Sequence, residues 1–173
     1  MELARQNLFS LYLMKNILII GYGNIDRQDD GAAWHVLNGI AQKYTRTSIE
    51  TGEIIRLGEN APDILFIPQL IPELVEDLKN YQALCFVDAH TGAFKEDIRI
   101  TKLEPSLQTS AFTHHMTPNT LLALLEMLHQ QKAIGILVSV KGFEFEFEQK
   151  LSHETQKLIE PTVNLILEWI KKI

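Results

Sequence analysis

The sequence predicts an α/β fold: a three-layer sandwich with a twisted, mostly parallel sheet of about five strands, flanked by helices on both faces. Two observations carry this. Short, mainly apolar runs recur at Asn16 to Ile20, Ala83 to Val87 and Ile134 to Val140, as strands buried on both faces require. Between them lie segments with apolar residues at helical spacing, and strands that alternate with helices build parallel sheets.

The elements follow in order. The run at 16–20 ends in Gly21 and reads as the first strand. From about Asp30 to Tyr44, Ala33, Val36, Leu37, Ile40, Ala41 and Tyr44 recur on one helical face. Residues 50–62 are polar and hold Gly52, Gly58, Asn60 and Pro62, so a loop is expected with a weak strand at 53–57. Asp63 to Ile67 reads as a short strand. A helix is expected over 72–80, with Pro72 in its first turn and Glu73 facing the dipole. Ala83 to Val87 follows as a buried strand with Asp88 at its carboxyl end. The alternation from Ile98 to Leu103 fits an edge strand. Thr117-Pro118 pairs an N-cap hydroxyl with proline at the first helical position, and Leu121, Leu122, Leu125 and Leu128 point inward. After the strand at 134–140, Ser152 caps a last helix whose inner face is Ile159, Val163, Ile166, Ile170 and Ile173. Pro161 should bend that helix.

The chain has 173 residues, 46% of them hydrophobic and 22% charged. That is one domain's worth of ordinary globular sequence. Residues 14–173 form that domain; residues 1–13 read as an N-terminal extension or an upstream start. The formal charge is −6, which argues against a nucleic-acid partner, since phosphate contacts need a basic face. No apolar stretch approaches the roughly 20 residues of a membrane span. The one cysteine, Cys85, permits no internal disulfide, which suits a cytoplasmic location. It lies in an apolar strand and reads as a small buried hydrophobe.

Ligands of open α/β sheets bind outside the carboxyl ends of the strands. Three polar clusters are expected there: Gly21 to Gly31 after the first strand, Asp88-Ala89-His90, and Thr113-His114-His115-Met116-Thr117. The glycine loop is a poor dinucleotide site. The G-x-G-x-x-G fingerprint has Asp26 in its last position, and Asp29 and Asp30 would face phosphate with like charge. A cation suits it better. Asp30, Asp88 and a histidine of the third cluster offer two oxygen donors and one nitrogen, a set for a borderline divalent ion such as zinc or nickel with positions left open. Each residue has a plainer alternative. Asp29 and Asp30 serve equally as caps at a helix N-terminus, Asp88 as a loop-capping carboxylate, and His114 and His115 as solvated loop residues. His35, His129 and His153 read as surface or structural. His90 lies beside the site with its role open.

Together these residues resemble the hydrogenase maturation endopeptidases, the proteases of nickel–iron hydrogenase large subunits. The resemblance covers most of 15–172. It rests on ILIIGYGNIDRQDDGAA at 17–33, QLIPELVEDL at 69–78, ALCFVDA at 83–89 and THHMTPNTLLAL at 113–124, with GFEFEFEQKLSHET at 142–155 similar in character. The resemblance implies a metal-dependent, aspartyl-endopeptidase-like enzyme that removes a C-terminal peptide from the nickel-loaded large-subunit precursor. It implies Asp30, Asp88 and His114 as catalytic and metal-binding residues. Aspartate at 30, where the family often has glutamate, shortens the reach by one methylene. The divalent metal is then nickel brought by the precursor, with zinc or cadmium able to occupy the site in vitro. The precursor is a transient partner, and 69–74 and 50–62 are candidate docking surfaces. His115 is a supporting or substrate-contacting residue, and Asp29, Asp26 and His90 are candidates for the base. Two other readings compete: a nickel-recognising binding module without peptidase turnover, and a nucleotide-binding enzyme.

Overall fold

The computed structural model describes residues 16–45, 48–92, 94–107 and 116–173. The extension at 1–13 and the pair His114-His115 lie outside the described residues. The sheet has six strands in the order β2-β3-β1-β4-β6-β5. Four are parallel neighbours: β1 (Ile17–Tyr22), β3 (Asp63–Ile67), β4 (Ala83–His90) and β6 (Ile134–Lys141). The edges β2 (Ile54–Arg56) and β5 (Ile98–Lys102) run antiparallel. The expected count of about five becomes six because the weak strand pairs fully with β3, from Ile54 opposite Leu65 to Arg56 opposite Asp63.

Helices cover both faces. A 3-10 turn (Gln28–Gly31) leads into α1 (Ala32–Tyr44), and α1 packs with α4 (His153–Lys172) on one face. On the other face lie a 3-10 turn (Pro72–Leu74) running into the short α2 (Val75–Leu78), and α3 (Pro118–His129). The continuous apolar strands follow from this. In β1, Ile19 packs toward α1 and α4, while Leu18 and Ile20 pack toward α2 and α3. A strand with helices on both sides has no polar face to offer.

The caps form as their residues demand. The Thr117 hydroxyl accepts the Thr120 N–H at 3.3 Å, and the Ser152 hydroxyl accepts that of Thr155 at 3.1 Å. α4 runs continuously through Pro161, burying Ile159, Val163 and Ile166. Two apolar positions differ from expectation. Leu128 is 65% exposed and Tyr44 41%. Each falls in the last turn of its helix, beyond the stretch that meets the sheet. Cys85 is fully buried, and burial pushes its thiol well above the usual range, as an inert core cysteine should behave. No helix among the described residues is long and apolar enough to cross a membrane.

These positions give the first test. Leu37→Ala, in the α1 core, should cost about 2–5 kcal/mol through lost burial and a cavity. Leu128→Gln should stay within about 0.5 kcal/mol. Urea unfolding followed by circular dichroism measures both.

Candidate functional site

β1 is the point where the sheet's connectivity reverses. From β1 the chain proceeds to β3 on one side, then returns to β4 on the other. The crevice at the carboxyl ends of β1 and β4 is therefore a topological switch point, where such sheets bind ligands. A cleft of about 420 Å³ opens there. Its polar walls are Tyr22 and Gly23 from the end of β1, Asp30 from the 3-10 turn, Gln69, Asp88 from β4, and Thr117.

Asp30 and Asp88, predicted from the sequence, are thus brought into one cleft. The backbone arranges Asp30. Its Oδ2 accepts the Asn24 N–H at 2.8 Å, closing the loop on itself. Gly23, at φ +141°, is required here twice: other residues rarely adopt that backbone, and a Cβ would collide with the Asp30 carbonyl oxygen. Asp88 is the sixth of the eight residues of β4, not beyond its end, because β4 extends to His90. Burial pushes its carboxyl up to about 6, and the Asp30 charge adds to that; the Tyr22 hydroxyl and the Ala89 N–H, at 2.8 Å, pull the other way. Tyr22 is a site residue that the sequence reading missed. Burial, then the Asp88 charge and hydrogen bond, hold its phenol protonated. Its one available signal was its place between Gly21 and Gly23 at a strand end.

The third predicted donor, His114, lies outside the described residues. Met116 and Thr117, just after it in the chain, line or approach the same cleft. Among the described residues no group of three or more His, Cys, Asp or Glu side chains could hold a metal ion.

Three other candidates have clear positions. Asp29 is fully buried. Its Oδ2 accepts from the N–H groups of Phe143 at 2.8 Å and Glu144 at 2.9 Å and from the Ser152 hydroxyl at 2.7 Å. Its Oδ1 accepts the Ser152 N–H at 2.8 Å. Burial alone would raise this carboxyl, but the four donors outweigh it and hold it below the usual range. Asp29 is neither a helix cap for α1 nor free to act as a base. Asp26 is exposed and accepts from Gln149 Nε2 at 2.7 Å. His90 is 9% exposed, and among the described residues neither ring nitrogen has a hydrogen-bond partner; its ring meets Phe94 edge-on at 5.5 Å. The remaining histidines are structural or peripheral. His35 is half-buried and bonded to the backbone of Gln149, with burial holding its imidazole below the usual value. His129 meets Glu76 at 3.0 Å, and His153 opens α4.

Gln28 shows how firmly this loop is held. It has φ +44°, an uncommon backbone for a side chain that branches away from Cβ, costing about 1–2 kcal/mol. Three bonds offset the strain. Its N–H donates to the Glu148 carbonyl at 2.6 Å, its side-chain oxygen accepts the Glu146 N–H at 2.8 Å, and its Nε2 donates to Glu144 Oε2 at 3.0 Å.

The contrast between Asp29 and Asp88 is testable. Asp29→Ala leaves four donors without their acceptor and should cost about 3–5 kcal/mol in urea unfolding. Asp88 works the other way. Its carboxyl titrates near 6 when folded and near the usual 3.8 when unfolded. The folded state therefore holds the proton longer, and stability falls as pH rises from about 4 through about 6. Asp88→Asn should abolish that loss, so the metal-free variant melts higher than wild type at pH 7 and the difference vanishes below pH 4.

No family model matches the chain. A protein of Methanocaldococcus jannaschii named "Putative hydrogenase maturation protease" is 26% identical over 161 residues, covering 91% of this chain and 98% of that protein. Among solved structures, the hydrogenase maturating endopeptidase HybD of Escherichia coli superposes with a TM-score of 0.63 at 18% identity, over 91% of this chain and 93% of that one. The nickel–iron hydrogenase maturation protease HycI of Thermococcus kodakarensis gives a TM-score of 0.61 at 19% identity, over 95% and 99%. In sequence along most of its length, and in its fold, this chain resembles the hydrogenase maturation endopeptidases.

Proposed function

We propose that this chain is an endopeptidase of the cytoplasm that removes a C-terminal peptide from the nickel-loaded large-subunit precursor of a nickel–iron hydrogenase. One observation supports this above the others: Asp30 and Asp88 face one cleft at the switch point of the sheet. The Asp30 charge raises the proton affinity of Asp88, and a divalent cation relieves that repulsion. The donor set fits the metal. Asp30 and Asp88 would supply oxygens, and the sequence offers His114, just before Met116 and Thr117, for the nitrogen of a borderline ion's preferred mixture. We assign nickel to the precursor as part of the substrate; zinc or cadmium suits the same donors in vitro. When bound, the ion can polarise the scissile carbonyl or orient the precursor.

The chain's own groups have separate tasks. Asp30, fixed by the Asn24 N–H, lines the cleft. The Tyr22 hydroxyl orients Asp88 from the side. Asp29 is excluded as the base because all its acceptor positions toward the protein are filled. The glycine loop supports no nucleotide reading, since it closes on the Asp30 carboxylate in place of a phosphate.

The test is cleavage itself. Purified protein and nickel-loaded precursor are mixed without oxygen, and intact mass reports loss of the C-terminal peptide. Asp30→Ala and Asp88→Ala should each slow cleavage by at least about 100-fold, since loss of one of few donors weakens metal capture by that order. Asp30→Glu should retain measurable turnover. Full cleavage by either alanine variant would refute the site. Wild type that binds the nickel-loaded precursor, and not the nickel-free form, yet never shortens it would make the chain a nickel-recognising module.

A further inference from the structure

The segment from Gly142 to Lys150 has no counterpart among the roles assigned so far. It alternates Phe143, Phe145 and Phe147 with Glu144, Glu146 and Glu148, a pattern that suits a strand. No strand forms. Its backbone is instead fastened to the loop that carries Asp30. The N–H groups of Phe143 and Glu144 go to Asp29, that of Glu146 goes to Gln28, and the Phe145 carbonyl takes Arg27 Nη2 at 3.2 Å. The Glu144 and Glu148 carbonyls accept from the N–H groups of Asp29 and Gln28. The Gly142 N–H fixes the base of the segment to the His90 carbonyl at the end of β4, at 2.9 Å.

The backbone is thus committed, and Glu144 Oε2 accepts from Gln28 Nε2, while the side chains of Phe143, Glu146, Phe147 and Glu148 stay exposed. Phe147 is 88% exposed and Phe143 43%. Only Phe145 folds back, onto Gly142, where a Cβ would strike its ring. Exposed aromatics on a rigid frame are the usual anchors of an interface, because little order is left to impose on binding. The three glutamate side chains are exposed and, among the described residues, none has an ion pair. Both exposed rings already have a cation nearby: Arg27 lies 5.7 Å from the centre of Phe147 and Lys141 Nζ 5.0 Å from that of Phe143. The exposed apolar rings and the carboxylates without an ion pair together select a segment carrying lysine or arginine among apolar residues. Asp29 holds the arm and the next residue, Asp30, lines the cleft, so one turn carries both the arm's anchor and a site carboxylate.

We propose that residues 142–150 form a docking arm for a basic, apolar stretch of the precursor polypeptide. This rests on the peptidase reading above for the identity of the partner, and on the arm's own chemistry for the mode of binding.

The experiment measures binding and turnover separately. Nickel-loaded precursor is immobilised, and wild type, the double variant Phe143→Ser with Phe147→Ser, and the double variant Glu146→Lys with Glu148→Lys are passed over it. KM and kcat for cleavage are taken in parallel. The serine variant should raise Kd and KM by about tenfold, as truncated aromatic anchors do, with kcat within about twofold and an unchanged Tm. The charge-reversed variant should also bind more weakly, and lose the weakening that wild type shows as ionic strength rises from about 0.05 M to about 0.5 M. Unchanged Kd and KM in the serine variant, or tighter binding after charge reversal, would overturn the arm and leave the peptidase intact. Binding that depends on the arm without any cleavage would retire the peptidase and keep the arm. Absence of both binding and cleavage by wild type would retire both. Self-association through the arm, seen as a dimer in sedimentation that the serine variant abolishes, would also overturn the proposal.

Discussion

The structure of the site depends on one buried carboxylate. Asp29 receives four hydrogen bonds from residues more than 110 positions away. An ionised group without water is tolerated only where such donors replace it. The bonds do three things at once. They fix the loop after β1, shape the segment at 142–150 and reach α4 through Ser152. That hydroxyl donates to Asp29 and accepts from the Thr155 N–H, so the helix cap and the loop share one hydrogen-bond chain. The strained backbone of Gln28 persists because its neighbours are held this way.

Asp29 and Asp30 are adjacent and do opposite work. The 3-10 turn they occupy advances about a third of a turn per residue, so consecutive side chains leave in different directions. One enters the interior between the loop and α4; the other faces the cleft. Moving the turn by one residue would exchange them, placing the site carboxylate in the anchor and the anchor in the site. Gly23 guards that register, because its backbone conformation and its contact with the Asp30 carbonyl admit no side chain.

Much of the fold was legible because its signals are local. The apolar runs of β1, β4 and β6, the Thr117 and Ser152 caps, and the helical spacing of α1 all act within a few residues. The placement of Asp30 and Asp88 at one cleft was legible for a related reason: both belong to polar clusters that follow apolar runs, at the carboxyl-end side of the sheet. What could not be read is long-range. Asp29 looked like a second cap, since nothing near it in sequence discloses donors at 143, 144 and 152. The alternating phenylalanines and glutamates suggest a strand until their N–H groups are found committed to the opposite loop. Tyr22 reads as one more core aromatic, and only the β1–β4 pairing sets its hydroxyl against Asp88. Leu128 keeps the helical period and still ends exposed, because period alone does not say where the sheet beneath a helix stops.

The same lengths of side chain explain how aspartate serves at position 30. A glutamate reaches one methylene farther into a cleft, but an aspartate is stiffer and here has one oxygen tied to the Asn24 N–H. That bond orients the carboxylate before any ligand arrives, and an oriented donor has less freedom to lose on binding. The opposing wall behaves alike, with the Ala89 N–H and the Tyr22 hydroxyl holding Asp88. The Asp30 charge opposes ionisation of Asp88 across the cleft, a repulsion built into the protein itself. The dense bonding around Asp29, directly behind Asp30, keeps the loop from moving away to relieve it. Stability in the anchor and strain in the site are therefore one arrangement, built from neighbouring residues of a single turn.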